Sequence, residues 1–383
     1  MDKISSAAFT DSKPHYQLLD GLRGVAALMV MWYHIFEGFA TSPIDQNFNH
    51  GYLAVDFFFM LSGFVVSYAY DDRWKSSLTL KGFLKRRLIR LQPMVVMGVF
   101  LGAITFIIQG QKQWDGTPVT LSMLFLALLL NLFLIPAIPS SRLEVRGNGE
   151  MYPLNGPNWS LFFEYIGNIL YALFIRKMST RWLATLTFIS GLGLTLFALC
   201  NLSGFGHLGV GWSLSDYNFP GGMLRLLFSF CAGLLISRIF KPIAVRGAFW
   251  ICSLLIILLL SIPYIGNENT LWTNGLYDSV CILIIFPLLL WIGASGKATD
   301  NKTARVCKFL GDISYPVYVV HYPFMYLFYA WLWSGEKIPF AEAWPIALIV
   351  YFGSILLAYI CLKWYDEPLR KWLNKRLRPP KQD

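Results

Sequence analysis

Charged residues are scarce in this chain of 383 residues, of which 14% are Asp, Glu, Lys or Arg and 56% are hydrophobic. No polar stretch is long enough to fold alone as a soluble domain, and no internal repeat is evident. Such a composition excludes an ordinary soluble enzyme and is typical of a polytopic membrane protein. The missing repeat also weakly disfavours a secondary transporter, since many of these are built from repeats.

Cysteine motifs and phosphate-binding loops are missing too. The six cysteines form no CxxC pair, so neither a zinc site nor a disulfide framework is indicated. No glycine-rich phosphate loop of the usual spacing occurs. The net charge of +10 comes from basic residues in short loops between apolar runs. This distribution indicates membrane orientation and lipid contact, and argues against nucleic acid as a partner.

Apolar runs of near-spanning length account for most of the chain. The eleven runs are 22–39, 52–70, 93–108, 121–135, 159–175, 182–202, 223–240, 248–263, 276–292, 309–331 and 344–365. Basic residues in 71–92 and 366–383 predict cytoplasmic segments, whereas 40–51 and 203–222 contain no Lys or Arg and are predicted to lie outside.

Eleven crossings cannot leave both termini in the cytoplasm, so one run between 93 and 175 must fail to cross. We predict that 121–135, the shortest, is a re-entrant segment or half-helix, with 159–175 as the alternative. The expected fold is an all-α transmembrane bundle of about ten spanning helices in residues 22–365. A cytoplasmic tail, 1–21, precedes it, and a basic cytoplasmic tail, 366–383, follows.

The first apolar helix begins with Asp20-Gly21-Leu22-Arg23-Gly24 and contains His34. Arg23 and His34 are eleven positions apart, which is three turns plus about 20°, so they share one helix face about 16 Å apart along the axis. An imidazole inside a membrane span needs partners or water. His34 is therefore a candidate for chemistry, with a structural histidine that joins two helices as the alternative.

Two further segments place charge within or beside apolar runs. Asp56 lies in an otherwise apolar second helix that continues to Ser62-Gly63, and it needs a partner. Arg86, Arg87 and Arg90 precede the third helix. Arginines bind phosphate bidentately, although such a cluster also serves simply as a positive anchor at the membrane surface.

The later motifs combine aromatic and polar side chains. Trp159-Ser160-Leu161-Phe162-Phe163-Glu164 places a carboxylate in the fifth run, where it could orient His34 or balance an arginine such as Arg225. In the segment from Ser314 to His321, Tyr318 and His321 are three residues apart and share a helix face. Structural and acceptor-binding roles are both open for that pair.

In this order, these segments resemble the motifs of the acyltransferase 3 family of integral membrane acyltransferases. The resemblance implies transfer of an acyl group, usually acetyl, to sugars or other acceptors, and donor binding at the Arg-Arg-x-x-Arg segment. The hypothesis assigns donor binding to Arg23, Arg86, Arg87 and Arg90, catalysis to His34 with Glu164 or Asp56, and substrate contacts to Trp159, Ser160, Tyr318 and His321. Whether His34 acts as general base or acyl carrier stays open.

The sequence thus predicts an O-acetyltransferase of the bacterial inner membrane that uses acyl-CoA as donor substrate and no metal. Its partners would be membrane lipid and a glycan or small-molecule hydroxyl acceptor, and a homo-oligomer is left open. The alternatives are a transporter or exporter of a glycan or lipid-linked precursor, and a subunit of a glycan-assembly complex without chemistry of its own. The acceptor and the acyl chain are not determined.

Overall fold

The computed structural model describes residues 15–76, 78–298 and 300–376. Fourteen α-helices occur in these residues, so the predicted all-α class is confirmed. In chain order they are α1 (Gln17–Glu37), α2 (Ala54–Tyr70), α3 (Leu80–Ile108), α4 (Leu121–Leu132), α5 (Asn158–Leu173), α6 (Thr180–Leu199), α7 (Asn218–Ile239), α8 (Ala248–Ser261), α9 (Trp272–Val280), α10 (Phe286–Ser295), α11 (Asn301–Val320), α12 (Tyr322–Leu332), α13 (Phe340–Cys361) and α14 (Glu367–Arg376).

Each of the eleven apolar runs forms a helix or an interrupted helix. Within the described part, six continuous helical segments are long and apolar enough to cross a membrane: His50–Lys75, Leu80–Ile108, Thr180–Leu199, Asn218–Ile239, Trp272–Ser295 and Phe340–Arg376. Helix α4 has 12 residues, about 18 Å, which is shorter than a hydrocarbon core of about 30 Å. This length agrees with the half-helix expected at 121–135, whereas its re-entrance stays a prediction.

Glycines bring the central helices into close contact. Helix α1 packs along α11, where a Cβ on Gly24 would lie 2.3 Å from the Leu310 carbonyl oxygen. Helices α2 and α7 cross at Gly63 and Gly233, and each glycine faces the backbone of the other helix. Small residues at such crossings allow transmembrane helices to approach backbone to backbone.

The two ends of this bundle differ in charge. At one end, which we call the basic end, α1 and α11 begin, and α14 packs against the arginine-bearing part of α3. We call the opposite end, where α1 finishes and the loop 133–157 lies against α12, the far end. The candidate site extends between these ends along α1 and α11.

Candidate active site

A cavity of about 280 Å³ lies between α1, α2, α3, α5 and α11. At the basic end it reaches the exposed residues His15 and Arg90. Its charged lining comprises Asp20, Arg23, Arg87, Arg90 and Glu164, and its apolar lining includes Val55, Phe58, Phe59, Leu61 and Leu161. Three guanidinium groups against two carboxylates leave an excess of one positive charge, without counting His15. An elongated anion with an apolar arm fits this distribution.

Arg23 is fixed to α11 at the side of the cavity. Its Nε donates to Ser314 Oγ at 2.8 Å, and its Nη2 lies 3.4 Å from Asp20 Oδ1, one turn earlier on α1. His15 Nε2 lies 3.0 Å from the other oxygen of Asp20. The hydrogen bond with Asp20 raises the pKa of His15. The start of α1 therefore presents one partly neutralised arginine to the cavity.

Arg87 and Glu164 form an ion pair in the cavity wall. Arg87 is 6% exposed, and its Nη2 donates to Glu164 Oε1 at 2.5 Å, where Ser62 Oγ also donates at 2.9 Å. This contact corrects the idea that Glu164 orients His34, because its carboxylate is engaged by Arg87 and Ser62.

Only part of the arginine motif faces the cavity. Arg87 and Arg90 line it, whereas Arg86 is not among the described residues that do. Consecutive helical residues point about 100° apart, so Arg86 and Arg87 cannot share a direction. The pair on the cavity is thus Arg87 with Arg90, three residues apart on α3.

The inner end of the cavity is closed by Ser160 and Tyr318. Their hydroxyl groups lie 2.7 Å apart, and the ring of Phe58 contacts Tyr318 edge-on at 5.4 Å between centroids. The His321 ring lies 6.1 Å beyond that of Tyr318. The structure therefore places three of the predicted substrate-contacting residues at this inner end: two on the cavity, and His321 just behind it.

His34 lies behind this inner end and is not one of the described residues that line the cavity. Its ring stacks on His321 at 5.5 Å and meets the edge of Tyr322 at 4.6 Å. Its Nδ1 is 2.7 Å from Glu37 Oε2. His34 is three residues from the end of α1, so it lies closer to the far end than to the middle of the helix.

Asp56 has a different role from the predicted one. It is fully buried, and Arg225 binds both of its oxygens, with Nη2 2.7 Å from Oδ2. Trp159 packs over the same guanidinium at 5.2 Å. Asp56 is thus the counter-charge of Arg225, and no contact joins it to His34 among the described residues. Trp159 therefore packs on Arg225 and is not one of the described residues that line the cavity.

Sequence reasoning missed Glu37 and a buried cluster at the far end. The spacing of three between His34 and Glu37 was the available signal, because such residues share a helix face. In the far-end loop, Arg146 lies 3.4 Å from the centre of the Tyr326 ring, and the Tyr326 hydroxyl donates to Glu150. Burial raises the pKa of Glu150. No sequence signal indicated this cluster, since its members come from a loop and from α12.

Cofactor and metal sites can be judged from the same side chains. Arg23, Arg87 and Arg90 could hold phosphate groups, because guanidinium groups match phosphate geometry. Among residues 15–76, 78–298 and 300–376 no group of three His, Cys, Asp or Glu side chains is arranged to hold a metal ion.

Comparisons with known proteins identify the family of the chain. A family model described as an acyltransferase domain, that of the acyltransferase 3 family, matches residues 16–363. Acyltransferase MdmB of Streptomyces mycarofaciens is 25% identical over 365 residues, which cover 90% of this chain and 86% of that protein. Protein 2 in the picA locus of Rhizobium radiobacter is 37% identical over 165 residues, covering 40% of this chain and 80% of that protein. No solved structure matches the chain at a significant level. With nearly its whole length matched by that model, the chain belongs to the acyltransferase 3 family and is a membrane acyltransferase.

Proposed function

We propose that this acyltransferase moves a short acyl group, in the first instance acetyl, from coenzyme A to a hydroxyl group of a sugar or glycan. One observation carries the proposal: a cavity with three arginines at the basic end stops just before a pair of stacked imidazoles that lie towards the far end. Donor and acceptor would then enter from opposite ends of the bundle. In this proposal the basic end is cytoplasmic, in keeping with the distribution of Lys and Arg.

The donor would bind through its phosphates at the mouth of the cavity. Arg90 is exposed there, and Arg23 and Arg87 lie deeper, each already close to a carboxylate. A phosphate would compete with Asp20 and Glu164 for these two guanidinium groups. Arg90 has no carboxylate within hydrogen-bonding distance among the described residues, so its charge is the one open to a phosphate. The pantetheine arm would follow the apolar wall formed by Val55 and its neighbours.

The chemistry would take place at His34. A nitrogen that lies 2.7 Å from a carboxylate oxygen carries the proton of that hydrogen bond, so Nδ1 is the donor and Nε2 holds the lone pair. Nε2 would take the proton of the acceptor hydroxyl as its oxygen attacks the thioester carbonyl. The C–S bond then breaks, and the thiolate of coenzyme A leaves with the proton that His34 returns.

The inner end of the cavity has to open for this reaction. Tyr318 and His321 stand between the cavity and His34, with ring centres 6.1 Å apart and a further 5.5 Å to His34. Rotation of the Tyr318 side chain away from Ser160 would connect the two spaces. Closure in the absence of the acceptor would keep water from the thioester.

The test compares His34→Ala and Arg90→Ala with the wild-type protein in membranes supplied with radiolabelled acetyl-CoA. His34→Ala should lose about 10²–10⁴-fold in transfer, the usual contribution of a general base, while acetyl-CoA binding persists. Arg90→Ala should weaken acetyl-CoA binding. Wild-type transfer rates in the His34→Ala protein would refute the assignment. Mass spectrometry of surface glycans, with and without the protein, would identify the acceptor by a lost acetyl mass.

A further inference from the structure

Glu37 occupies an unfavourable position for a carboxylate. It is the last residue of α1, where the unpaired carbonyl groups of the helix end give a partial negative charge. Its side chain is 39% exposed and could point into solvent. Instead, its Oε2 lies 2.7 Å from Nδ1 of His34. The helix dipole therefore disfavours a carboxylate at position 37, and the contact with His34 explains the orientation of the Glu37 side chain.

The imidazole of His34 is held in one orientation by its surroundings. The ring of His321 stacks against it with 29° between the planes, and Tyr322 meets it nearly perpendicularly, at 79°. With Nδ1 bound to Glu37, Nε2 is the ring nitrogen left with a lone pair for substrate. Glu37 thus determines which tautomer is present and stabilises the cation that would form when Nε2 accepts a proton.

Helix α12 holds the carboxylate in turn. The Tyr329 hydroxyl shares its one proton between the backbone carbonyl oxygen of His34, at 2.5 Å, and Glu37 Oε2, at 3.1 Å. Trp333 stacks on Tyr329 at 5.1 Å and donates from Nε1 to the carbonyl of Gly38. The carbonyl groups at the end of α1 have no intrahelical donors, and these hydrogen bonds satisfy two of them. The same contacts fix the end of the helix and thereby the geometry of the His34–Glu37 pair.

We infer that Glu37, held by Tyr329, is the positioning residue that fixes the tautomer and orientation of the His34 imidazole. The inference rests on the proposed function of His34. The two carboxylates that the sequence suggested for this role are bound elsewhere, Glu164 to Arg87 and Asp56 to Arg225.

The experiment measures release of coenzyme A from acetyl-CoA by the full-length protein in membranes, together with acetyl-CoA binding, for Glu37→Gln, Glu37→Asp and Tyr329→Phe. Glu336→Gln is the matched control, because it makes the same change at an exposed site. We expect Glu37→Gln to lower kcat by about 10²–10⁴-fold, as expected when a histidine loses its orienting carboxylate. The KM for acetyl-CoA should stay within about twofold, because only transition-state stabilisation is lost. Glu37→Asp keeps a carboxylate and should fall between wild type and Glu37→Gln.

Two results separate the inference from the proposed function. If His34→Ala is inactive while Glu37→Gln turns over at the wild-type rate, the positioning role is refuted and the role of His34 stands. If His34→Ala is active, the proposed function itself fails. Should Glu37→Gln not accumulate as folded protein, Tyr329→Phe decides the question, since it removes the hydroxyl shared by Glu37 and the His34 carbonyl and leaves both residues in place. A kcat reduced by about 10–100-fold, the size expected for a lost hydrogen bond to a charged group, with donor binding retained, supports the inference, and an unchanged kcat overturns it.

Discussion

Replacement of Asp56 by Asn should destabilise the protein and leave its chemistry in place. Both Asp56 and Arg225 are fully buried. The guanidinium also donates from Nη1 to the Val210 carbonyl at 2.6 Å and from Nη2 to that of Tyr52 at 2.8 Å. The ion pair therefore joins α2 and α7 to the loop that precedes α7.

The expected magnitude follows from the burial of the pair. Asn is nearly isosteric with Asp and keeps one acceptor, but it leaves the charge of Arg225 without a counter-charge in an apolar interior. Breaking a buried ion pair in this way costs about 3–5 kcal/mol in the free energy of unfolding. Arg225→Met should cost a similar amount. The double variant, which removes both charges, should be more stable than either single variant, since coupled neighbours are not additive.

The assay is thermal unfolding of the purified protein in one detergent, followed by release of coenzyme A per folded molecule. Asp216→Asn is the matched control, because it makes the same change at an exposed residue and should shift stability by less than about 0.5 kcal/mol. We expect a lower melting temperature for Asp56→Asn, with turnover of the folded fraction close to wild type. An unchanged melting temperature together with lost turnover would refute the structural role and return Asp56 to the chemistry.

Four further substitutions test other parts of the molecule. Tyr318→Phe removes the hydrogen bond to Ser160, which contributes about 0.5–1.5 kcal/mol; acetyl-CoA hydrolysis without acceptor should rise about 2–12-fold in a thiol-release assay, and no change would exclude a closing role. Burial lowers the pKa of His207 to about 3, below the unfolded value of about 6.5, so the unfolded state binds more protons in acid. Stability should therefore fall as pH drops below about 6.5, by about 2 kcal/mol at pH ~5, and His207→Asn should reduce the loss of melting temperature between pH ~7.5 and ~5. Gly102→Ala would place a Cβ 1.8 Å from a carbonyl oxygen of the loop before α5 and should cost about 1–3 kcal/mol. Gly353→Ala meets nothing within 4 Å and should instead gain up to about 1 kcal/mol, as compared by thermal unfolding.

Residues that share one helix were predicted well, because helical periodicity fixes their relative directions. Arg23 and Asp20 lie together at the start of α1. The arginine motif is an exception, since Arg87 and not Arg86 lies with Arg90 on the cavity. Tyr318 and His321 are near each other on or beside α11. The same rule indicates Glu37 as the partner of His34, because it lies three positions further along α1.

Pairing between helices could not be predicted in the same way. Two acids and two arginines lie on four different helices: Asp56, Glu164, Arg87 and Arg225. From the sequence, either acid could pair with either arginine. The structure selects Asp56 with Arg225 and Glu164 with Arg87, because glycine-mediated packing of α2 on α7 places one pair in the dry interior and leaves the other at the cavity.

The sequence by itself determined the helical membrane class, the family motifs and the presence of arginines at the basic end, since these depend on hydrophobicity, period and local spacing. Only the tertiary structure decided that His34 pairs with Glu37, that His321 stacks upon it, and that Ser160 and Tyr318 close the cavity before it. Those contacts join α1, α5, α11 and α12, and the approach of distant helices is fixed by packing of the whole bundle, which no local pattern in the chain encodes.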